Sequence, residues 1–439
     1  MGLEAQSTSG VKAFITAVLS AALLSTMIVA VAAPVRADDF GQALQKGLYD
    51  DATVTVHLRS YYFDRTNPGP PNNVAWAGGG WVGYETGWLF DALRFGVVGY
   101  TSQPIAASAQ NDGTVLLAPG AYGYTVLGQA YGKLKLWGQE FTGYRQLINQ
   151  PEVNPQDNRM TPNTFEAYTL GGKLGDLSYF AGYVANEKTR NETQFRNMAQ
   201  VAGAPDGVNA GMGLLGFTFA PDDSFKARLS TYHVPDILTS GYADAAKTFS
   251  LTDDIDLRLS GQFMVQGSTG LHLLTGQAFS TWVGGVDVDL MWGPVVLSAI
   301  YTQTGSAAAY RTPYGTWAGY SSMIVRDYNR ANEGAFVAGI KFDLAAVKLP
   351  AFALSVNTAF GNGALDAATR QPLSLNNEYD FTLDYLFANS AIDWPKWLRP
   401  MWIRGRAALL DQYQNGSLTK INDYRVIVNY EWKFGGKDH

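Results

Sequence analysis

The 439-residue sequence has no cysteine and few charged residues. The lack of cysteine excludes disulfide frameworks, thiolate zinc sites, iron–sulfur clusters and cysteine nucleophiles. Charged residues make up 16% of the chain, against roughly 25% in an ordinary soluble domain. Glycine (47 residues) and tyrosine (24 residues) are abundant instead, and 13% of the chain is aromatic. This composition suits a protein whose outer surface faces something other than water.

Long apolar runs are also absent, except for one at the N-terminus over 13–33. Val35-Arg36-Ala37 follows it with small residues at the positions that a signal peptidase reads, so we expect residues 1–37 to be an export signal peptide. A membrane anchor is the alternative. The net charge of −6 becomes −7 when Lys12, Arg36 and Glu4 leave with the signal, which argues against nucleic acid as a partner. No later segment reaches about 18 apolar residues, so a multi-helix membrane protein is excluded.

The dominant pattern in the remaining chain is alternation of apolar and polar residues, and 422–434 shows it most clearly. Successive side chains of a strand point to opposite sides, so this pattern predicts a strand with one apolar face. Aromatic residues at both ends of that face match the two girdles of a membrane barrel. A soluble sandwich also alternates, so a secreted soluble β-protein stays an alternative. The apolar face holds Tyr424, Val426, Val428, Tyr430, Trp432 and Phe434.

Segments of this kind recur along the chain and predict an all-β fold, a transmembrane antiparallel β-barrel of about 18 strands. Short connections such as 220–224 and 291–294 alternate with long ones such as 142–163, 186–211 and 303–333, as periplasmic turns alternate with outer loops. A barrel of about 16–18 strands encloses an aqueous channel. We therefore expect residues 38–439 to form one barrel domain. The predicted strands are 53–63, 80–90, 93–101, 122–130, 133–141, 164–171, 177–185, 212–219, 225–233, 245–251, 255–266, 280–290, 295–302, 334–344, 351–360, 379–388, 397–411 and 422–434.

Three stretches carry a resemblance to a known family: 158–166 (NRMTPNTFE), 402–406 (WIRGR) and 424–430 (YRVIVNY). They resemble the OprD-type porins of Gram-negative outer membranes, also called outer-membrane carboxylate channels. The resemblance implies a monomeric barrel whose lumen is narrowed by inward-folded loops, with a ladder of basic residues that passes small carboxylate solutes. It also implies outer-membrane lipid, lipopolysaccharide and the barrel-assembly machinery as partners, and no cofactor. One departure is the ending, where 435–439 follow Phe434 in place of a terminal aromatic residue.

Carried over residue by residue, the resemblance places Arg404, Arg406 and Arg425 in the basic ladder. Arg404 and Arg406 are two residues apart, so both side chains point to one side of a strand. That side is the lumen, because a charge on the lipid face near the midplane costs about 2–4 kcal/mol. Lys133 and Lys135 form another such pair. A row of guanidinium groups offers a carboxylate a bidentate partner at each step.

The alternative for these arginines is purely structural: they pair with lumen carboxylates such as Asp384 or Glu431 and stabilise the barrel. Further candidates for contact with solute lie in the loops. Arg159 lies in 142–163, where three prolines and mixed charge suit a loop folded into the lumen, with a solvated outer loop as the alternative. For Tyr320 and Asp327 the argument is the resemblance, which places 303–333 at the constriction.

No motif supports catalysis or metal binding. Neither G-x-S-x-G nor H-E-x-x-H occurs, and the four histidines share no ligand spacing. Asp287 and Asp289 share a strand face, but Ca²⁺ takes about 6–8 oxygens from a dedicated loop, so a polar lumen wall is the better interpretation. We therefore predict a passive substrate-selective porin and no enzyme. The competing hypothesis is an outer-membrane β-barrel hydrolase.

Overall fold

The structure is a computed structural model that describes residues 37–436. Nearly all of the predicted signal peptide, and residues 437–439, lie outside this range. Helix α1 (Ala37–Gln45) and a π-helical turn (Lys46–Asp50) lead into the first strand. None of the helices within 37–436 is long and apolar enough to cross a membrane. The remaining helices are α2 (Met198–Val201) and the 3-10 turns Ala109–Asn111, Leu344–Val347, Phe387–Asn389 and Lys396–Leu398.

Eighteen antiparallel strands close into a barrel, which confirms the predicted fold class. Each strand pairs with the next one along the chain, and the first pairs with the last from Thr53↔Gly435 to Arg65↔Asp423. A two-residue strand, Arg196–Asn197, adds to the end of the seventh. The strands are β1 Thr53–Arg65, β2 Asn73–Glu85, β3 Leu93–Ala107, β4 Tyr124–Leu136, β5 Gln139–Gln146, β6 Thr164–Leu174, β7 Leu177–Lys188, β8 Met212–Asp222, β9 Phe225–Val234, β10 Leu238–Thr252, β11 Ile255–Ser268, β12 Ser280–Trp292, β13 Val295–Thr304, β14 Gly334–Asp343, β15 Phe352–Asn362, β16 Leu375–Leu386, β17 Met401–Gln414 and β18 Ser417–Gly435.

The exterior of the barrel is apolar and exposed, and the interior is polar. On β18, Tyr424, Val426 and Trp432 are 45%, 48% and 48% exposed, whereas Arg425 and Asn429 are 3% and 1% exposed. A soluble protein distributes these residue types the other way round. The pattern is that of a barrel whose outer surface contacts hydrocarbon, and it confirms the alternation predicted for this strand.

Several predicted strand bounds differ from the structure, among them the start of β10, which is Leu238 and not residue 245. Strand β2 begins at Asn73, not at residue 80, because Gly78-Gly79-Gly80 has no side chains that could display alternation. The break predicted between 122–130 and 133–141 is wrong, because β4 continues to Leu136. The hairpin instead turns at Trp137 and Gly138, which both have positive φ (50° and 76°). Two residues with positive φ are what a tight hairpin turn requires.

Connections of two kinds emerge from the two rims of the barrel, as predicted. Those on the side of α1 are mostly short, and those on the opposite side include all of the longest loops, so we assign the α1 side to the periplasm. Three periplasmic connections, 86–92, 344–351 and 387–400, are longer than the two-residue turns that join the other strands on this side. The long outer loops are 108–123, 147–163, 189–211, 269–279, 305–333 and 363–374.

Candidate functional site

Loop 147–163 folds into the barrel and crosses the lumen. At one end, the Glu152 carboxylate accepts hydrogen bonds from Ser240 Oγ on β10 at 2.8 and 2.9 Å. At the other end, Arg59 on β1 donates to Asp157 Oδ1 at 2.6 Å. Strands β1 and β10 lie on opposite walls of the closed sheet. The loop therefore spans the channel and must narrow it.

Loop 305–333 also folds inward, and it is held by acids on the wall. The backbone N–H of Ile324 donates to Asp380 Oδ2 at 2.8 Å, and the next two N–H groups donate to the Glu378 carboxylate at 2.6 and 3.0 Å. Both acids are buried on the lumen face of β16. They act as fixed acceptors that hold the tip of this loop against the wall.

The two inward loops are joined to each other. Tyr310 donates its hydroxyl to Glu152 Oε1 at 2.6 Å, and the N–H of Thr316 donates to Asn154 Oδ1 at 2.9 Å. Glu152 is almost fully buried at this junction, and its burial raises the pKa of the carboxyl from 4.5 to about 7. The loops thus form one constriction with a buried acid at its centre.

Guanidinium groups converge on the face of Phe63, a buried lumen residue of β1. The guanidinium carbons of Arg425, Arg159 and Arg65 lie 4.9, 5.2 and 5.3 Å from the ring centroid. The face of an aromatic ring attracts cations, so one ring helps to hold three like charges close together. Asp423 balances part of this charge, because it accepts from Arg425 at 2.6 and 3.0 Å.

The three predicted ladder arginines lie together on neighbouring strands, but they are not equivalent. Arg404 is bound to Asp384 by two hydrogen bonds of 2.7 and 2.9 Å, which is the arrangement that the structural alternative expects. Arg406 lies directly opposite Arg425 in the β17–β18 register. Within the described residues, the Arg406 guanidinium makes no hydrogen bond or ion pair, and its Nε is buried without a partner. One guanidinium of the set is therefore left with unmet donors.

Arg159 is committed to the protein itself. Its Nε donates to the carbonyl of Thr114 at 2.9 Å, and a terminal nitrogen donates to the carbonyl of Asn158 at 2.8 Å. Burial, and secondarily the positive charge of Arg425, lower the pKa of Arg159 to about 9. These contacts link loop 147–163 to loop 108–123, so the geometry of Arg159 suits positioning of the constriction.

The predicted lysine pair lies away from the guanidinium cluster, at the periplasmic end of β4. Lys133 forms an ion pair with Glu140 at 3.1 Å. The Lys135 ammonium lies 5.7 Å from the ring centroid of Trp88. Lys133 also borders a side cavity of about 300 Å³ between β4 and β7. The structure therefore does not bring the lysines and the ladder arginines into one site.

Tyr320 and Asp327 both lie in loop 305–333, inside the barrel. The N–H of Tyr320 donates to Gln262 Oε1 on β11 at 2.7 Å, and burial raises the pKa of the Tyr320 hydroxyl to about 12. Asp327 accepts from Ser322 Oγ at 3.3 Å, and burial raises the pKa of its carboxyl. Their roles toward solute stay predictions.

Sequence reasoning missed four charged residues of this region: Arg59 and Arg65 on β1, and Glu378 and Asp380 on β16. The sequence contains a signal for Arg59, because this residue lies inside a predicted strand, next to the outward-facing Leu58. Applying the facing argument to that strand places it in the lumen. No such signal marks the two acids as loop acceptors, because their partners lie more than fifty residues away along the chain.

Comparison with known proteins identifies the family of this chain. The model of the outer membrane porin, OprD family, matches residues 46–434. Among curated proteins, none matches the sequence. A BenF-like porin from Pseudomonas fluorescens is similar in structure, with a TM-score of 0.78, 16% identity, and coverage of 88% of this chain and 100% of that one. OpdK of Pseudomonas aeruginosa, solved with vanillate, has a TM-score of 0.76 and 17% identity, and the match covers 88% of this chain and 99% of OpdK. OccAB1 of Acinetobacter baumannii has a TM-score of 0.76 and 16% identity, and the match covers 89% of this chain and 98% of OccAB1.

These findings decide between the hypotheses for the whole chain. The family match covers most of the sequence, and the solved relatives share the closed barrel. A secreted soluble protein is thereby excluded, and the outer-membrane hydrolase is wrong, because porins of this family are passive channels. The chain belongs to the OprD family of outer membrane porins and is a multi-pass β-barrel of the bacterial outer membrane.

Proposed function

We propose that this porin is selective for small solutes that carry a carboxylate, and that Arg406 is the group that pairs with the carboxylate at the constriction. The observation that carries the proposal is the unmatched state of Arg406 among the described residues. Its neighbours Arg404 and Arg425 are already bound to Asp384 and Asp423. A solute carboxylate would therefore find free donors at one position of the wall.

Charge balance supports the same proposal. The chain carries a net charge of −6, so its overall field repels anions and passage requires a local basic path. Arg406 faces Arg425 directly across the strand pair, and an anion between them relieves the repulsion of two like charges. The two neighbouring ladder arginines, Arg404 and Arg425, are paired with Asp384 and Asp423, so attraction stays local and the solute can leave, as conduction requires.

The comparison with OpdK favours the same class of solute. Its structure was solved with vanillate, which is the anion of an aromatic carboxylic acid. The two proteins share a fold at 17% identity. Vanillate also makes a suitable probe, because it has a neutral counterpart of nearly equal size, vanillyl alcohol.

Uptake of this solute pair into proteoliposomes tests the proposal. We expect Arg406→Ala to slow vanillate uptake about tenfold and to leave vanillyl alcohol uptake nearly unchanged. One hydrogen bond to a charged group is worth about 1.5–3 kcal/mol, and about 1.4 kcal/mol corresponds to a factor of ten. Correct assembly of each variant is checked by the mobility difference between heated and unheated samples in gels.

The matched control is the double variant Arg404→Ala/Asp384→Ala, which removes a bound pair from the same wall without changing its net charge. We expect this variant to change the uptake of both solutes to the same degree. Equal losses for vanillate and vanillyl alcohol in Arg406→Ala would show that Arg406 shapes the wall and does not select solute.

A further inference from the structure

The periplasmic connection 387–400 lies on the outside of the barrel. It packs against Tyr385, which shares the outward face of β16 with the exposed Leu383. Trp394 donates its Nε1–H to the Tyr385 hydroxyl at 3.0 Å. The Phe387 ring lies 4.9 Å from that of Tyr385 and 5.2 Å from that of Trp394. This aromatic cluster fixes the connection against the surface that contacts lipid.

The second long periplasmic connection, 344–351, adjoins the first. The N–H of Leu386 donates to the carbonyl of Ala351 at 2.8 Å, and the rings of Phe352 and Tyr385 are 4.8 Å apart. Together the two connections present an apolar surface at the periplasmic rim, continuous with the lipid-facing band. Its exposed members are Val347 (51%), Leu349 (48%), Ile392 (59%) and Trp397 (66%).

This apolar surface is accompanied by positive charge. The two connections contain Lys348, Lys396 and Arg399, against a single acid, Asp393. Three cations and one anion give a net charge of +2 in a chain whose total is −6. The one ion pair, Arg399–Asp393 at 3.4 Å, is solvent-exposed and leaves both lysines unmatched among the described residues. Aromatic and aliphatic side chains beside flexible cations are typical of segments that lie at a membrane–water interface.

We propose that connections 344–351 and 387–400 form an interfacial anchor that lies in the headgroup region of the periplasmic leaflet and binds anionic phospholipid. Two observations favour lipid over a periplasmic protein. The exposed apolar residues border the barrel face that contacts hydrocarbon, and the cations complement lipid phosphate groups. Trp397 then lies at headgroup depth, and the cations attract anionic lipid to the rim.

Fluorescence quenching by brominated lipids tests the anchor in the full chain reconstituted in vesicles. The difference in emission between the wild-type protein and Trp397→Phe isolates the contribution of Trp397. We expect bromines near the headgroup end of the acyl chains to quench this contribution at least twofold, and bromines near the chain terminus to quench it less. Trp432→Phe provides a lipid-facing reference, and Trp317→Phe a reference for a tryptophan buried in a loop.

The charge component is tested in vesicles of phosphatidylcholine with and without phosphatidylglycerol. We expect phosphatidylglycerol to increase the shallow quenching of Trp397 in the wild-type protein, and to have no such effect in Lys348→Gln/Lys396→Gln/Arg399→Gln. Quenching of Trp397 by aqueous acrylamide with no effect of brominated lipid would overturn the anchor and indicate a surface open to a periplasmic protein. Heat-dependent gel mobility confirms that every variant has inserted as a barrel.

Discussion

Two loops narrow the same lumen, yet the wall holds them with opposite chemistry. Loop 147–163 is bound by hydrogen-bond donors on the barrel wall, such as the Arg59 guanidinium, which pairs with the Asp157 carboxylate. Loop 305–333 instead presents its own backbone N–H groups to the acids Glu378 and Asp380. Binding of loop 147–163 therefore occupies positively charged side chains of the wall, and binding of loop 305–333 occupies negatively charged ones. Beside the acid-held loop, Glu378 and one oxygen of Asp380 accept loop N–H groups, while the Arg406 guanidinium makes no ion pair among the described residues.

The largest effect is expected from Glu378→Ala, which removes the acceptor of two loop N–H groups. Each donor left unsatisfied costs about 1–3 kcal/mol, so the contacts that hold loop 305–333 should weaken by roughly 2–6 kcal/mol. We expect higher single-channel conductance in planar bilayers. Glu378→Gln keeps one acceptor oxygen for the two N–H groups and should recover only part of the wild-type behaviour. Unchanged conductance in the alanine variant would show that other contacts hold this loop.

Arg59→Ala tests the other loop, and a somewhat smaller effect is expected because Asp157 is partly exposed and can be hydrated. Losing this charge-assisted contact costs about 1.5–3 kcal/mol. The chain has no cysteine, so a thiol introduced by Gln156→Cys reports on the loop alone. We expect its labelling rate to rise roughly tenfold in Arg59→Ala. In Arg65→Ala, the control on the same face of β1, the rate should stay near that of the wild type, since Arg65 binds Asp423.

The junction between the loops predicts a dependence on pH. Because the pKa of Glu152 is raised from 4.5 to about 7, its burial lowers the free energy of unfolding as pH rises through that window, by roughly 3 kcal/mol at most. We expect wild-type protein to resist urea better at pH 5 than at pH 8. Glu152→Gln mimics the neutral acid and should be more stable than wild type at pH 8 only. Parallel pH profiles would contradict this assignment.

The smallest effect is expected at Lys133, whose partly exposed ion pair with Glu140 is of the type worth about 0–1 kcal/mol. Lys133→Ala should change vanillate uptake less than about threefold. A tenfold loss specific to vanillate over vanillyl alcohol would instead extend the basic path along β4.

The barrel could be predicted from sequence because the alternation of apolar and polar residues that gives a strand its lipid-facing side lies within the strand itself. The prediction failed where side chains carry no alternation, as in Gly78-Gly79-Gly80 of β2. It also failed where alternation runs past a possible turn, as at Tyr131 and Gly132 in β4. A regular period identifies the presence of a strand better than it identifies the ends.

The candidate site was less predictable. The side of a strand to which a side chain points depends on its neighbours in sequence, whereas its hydrogen-bond or ion-pair partner can lie far away along the chain. The facing of Arg404 and Arg406 follows from their spacing, and both lie in the lumen of the structure. The partner of Arg404 and the lack of one at Arg406 depend on β16 and on loop 305–333, which are distant in sequence. The same limit applies to Arg159, whose donors are taken by carbonyls of two loops.

The pairing of Thr53 with Gly435 has a consequence for how the protein is made. Contacts of such high contact order form late, because almost the whole chain must be in place before the first strand meets the last. Until then, β1 and the most recent strand are open edges that can recruit other strands. A chain truncated before β18 keeps both edges permanently. Pairing of β18 with β1 is therefore the step that converts an aggregation-prone open sheet into a closed channel.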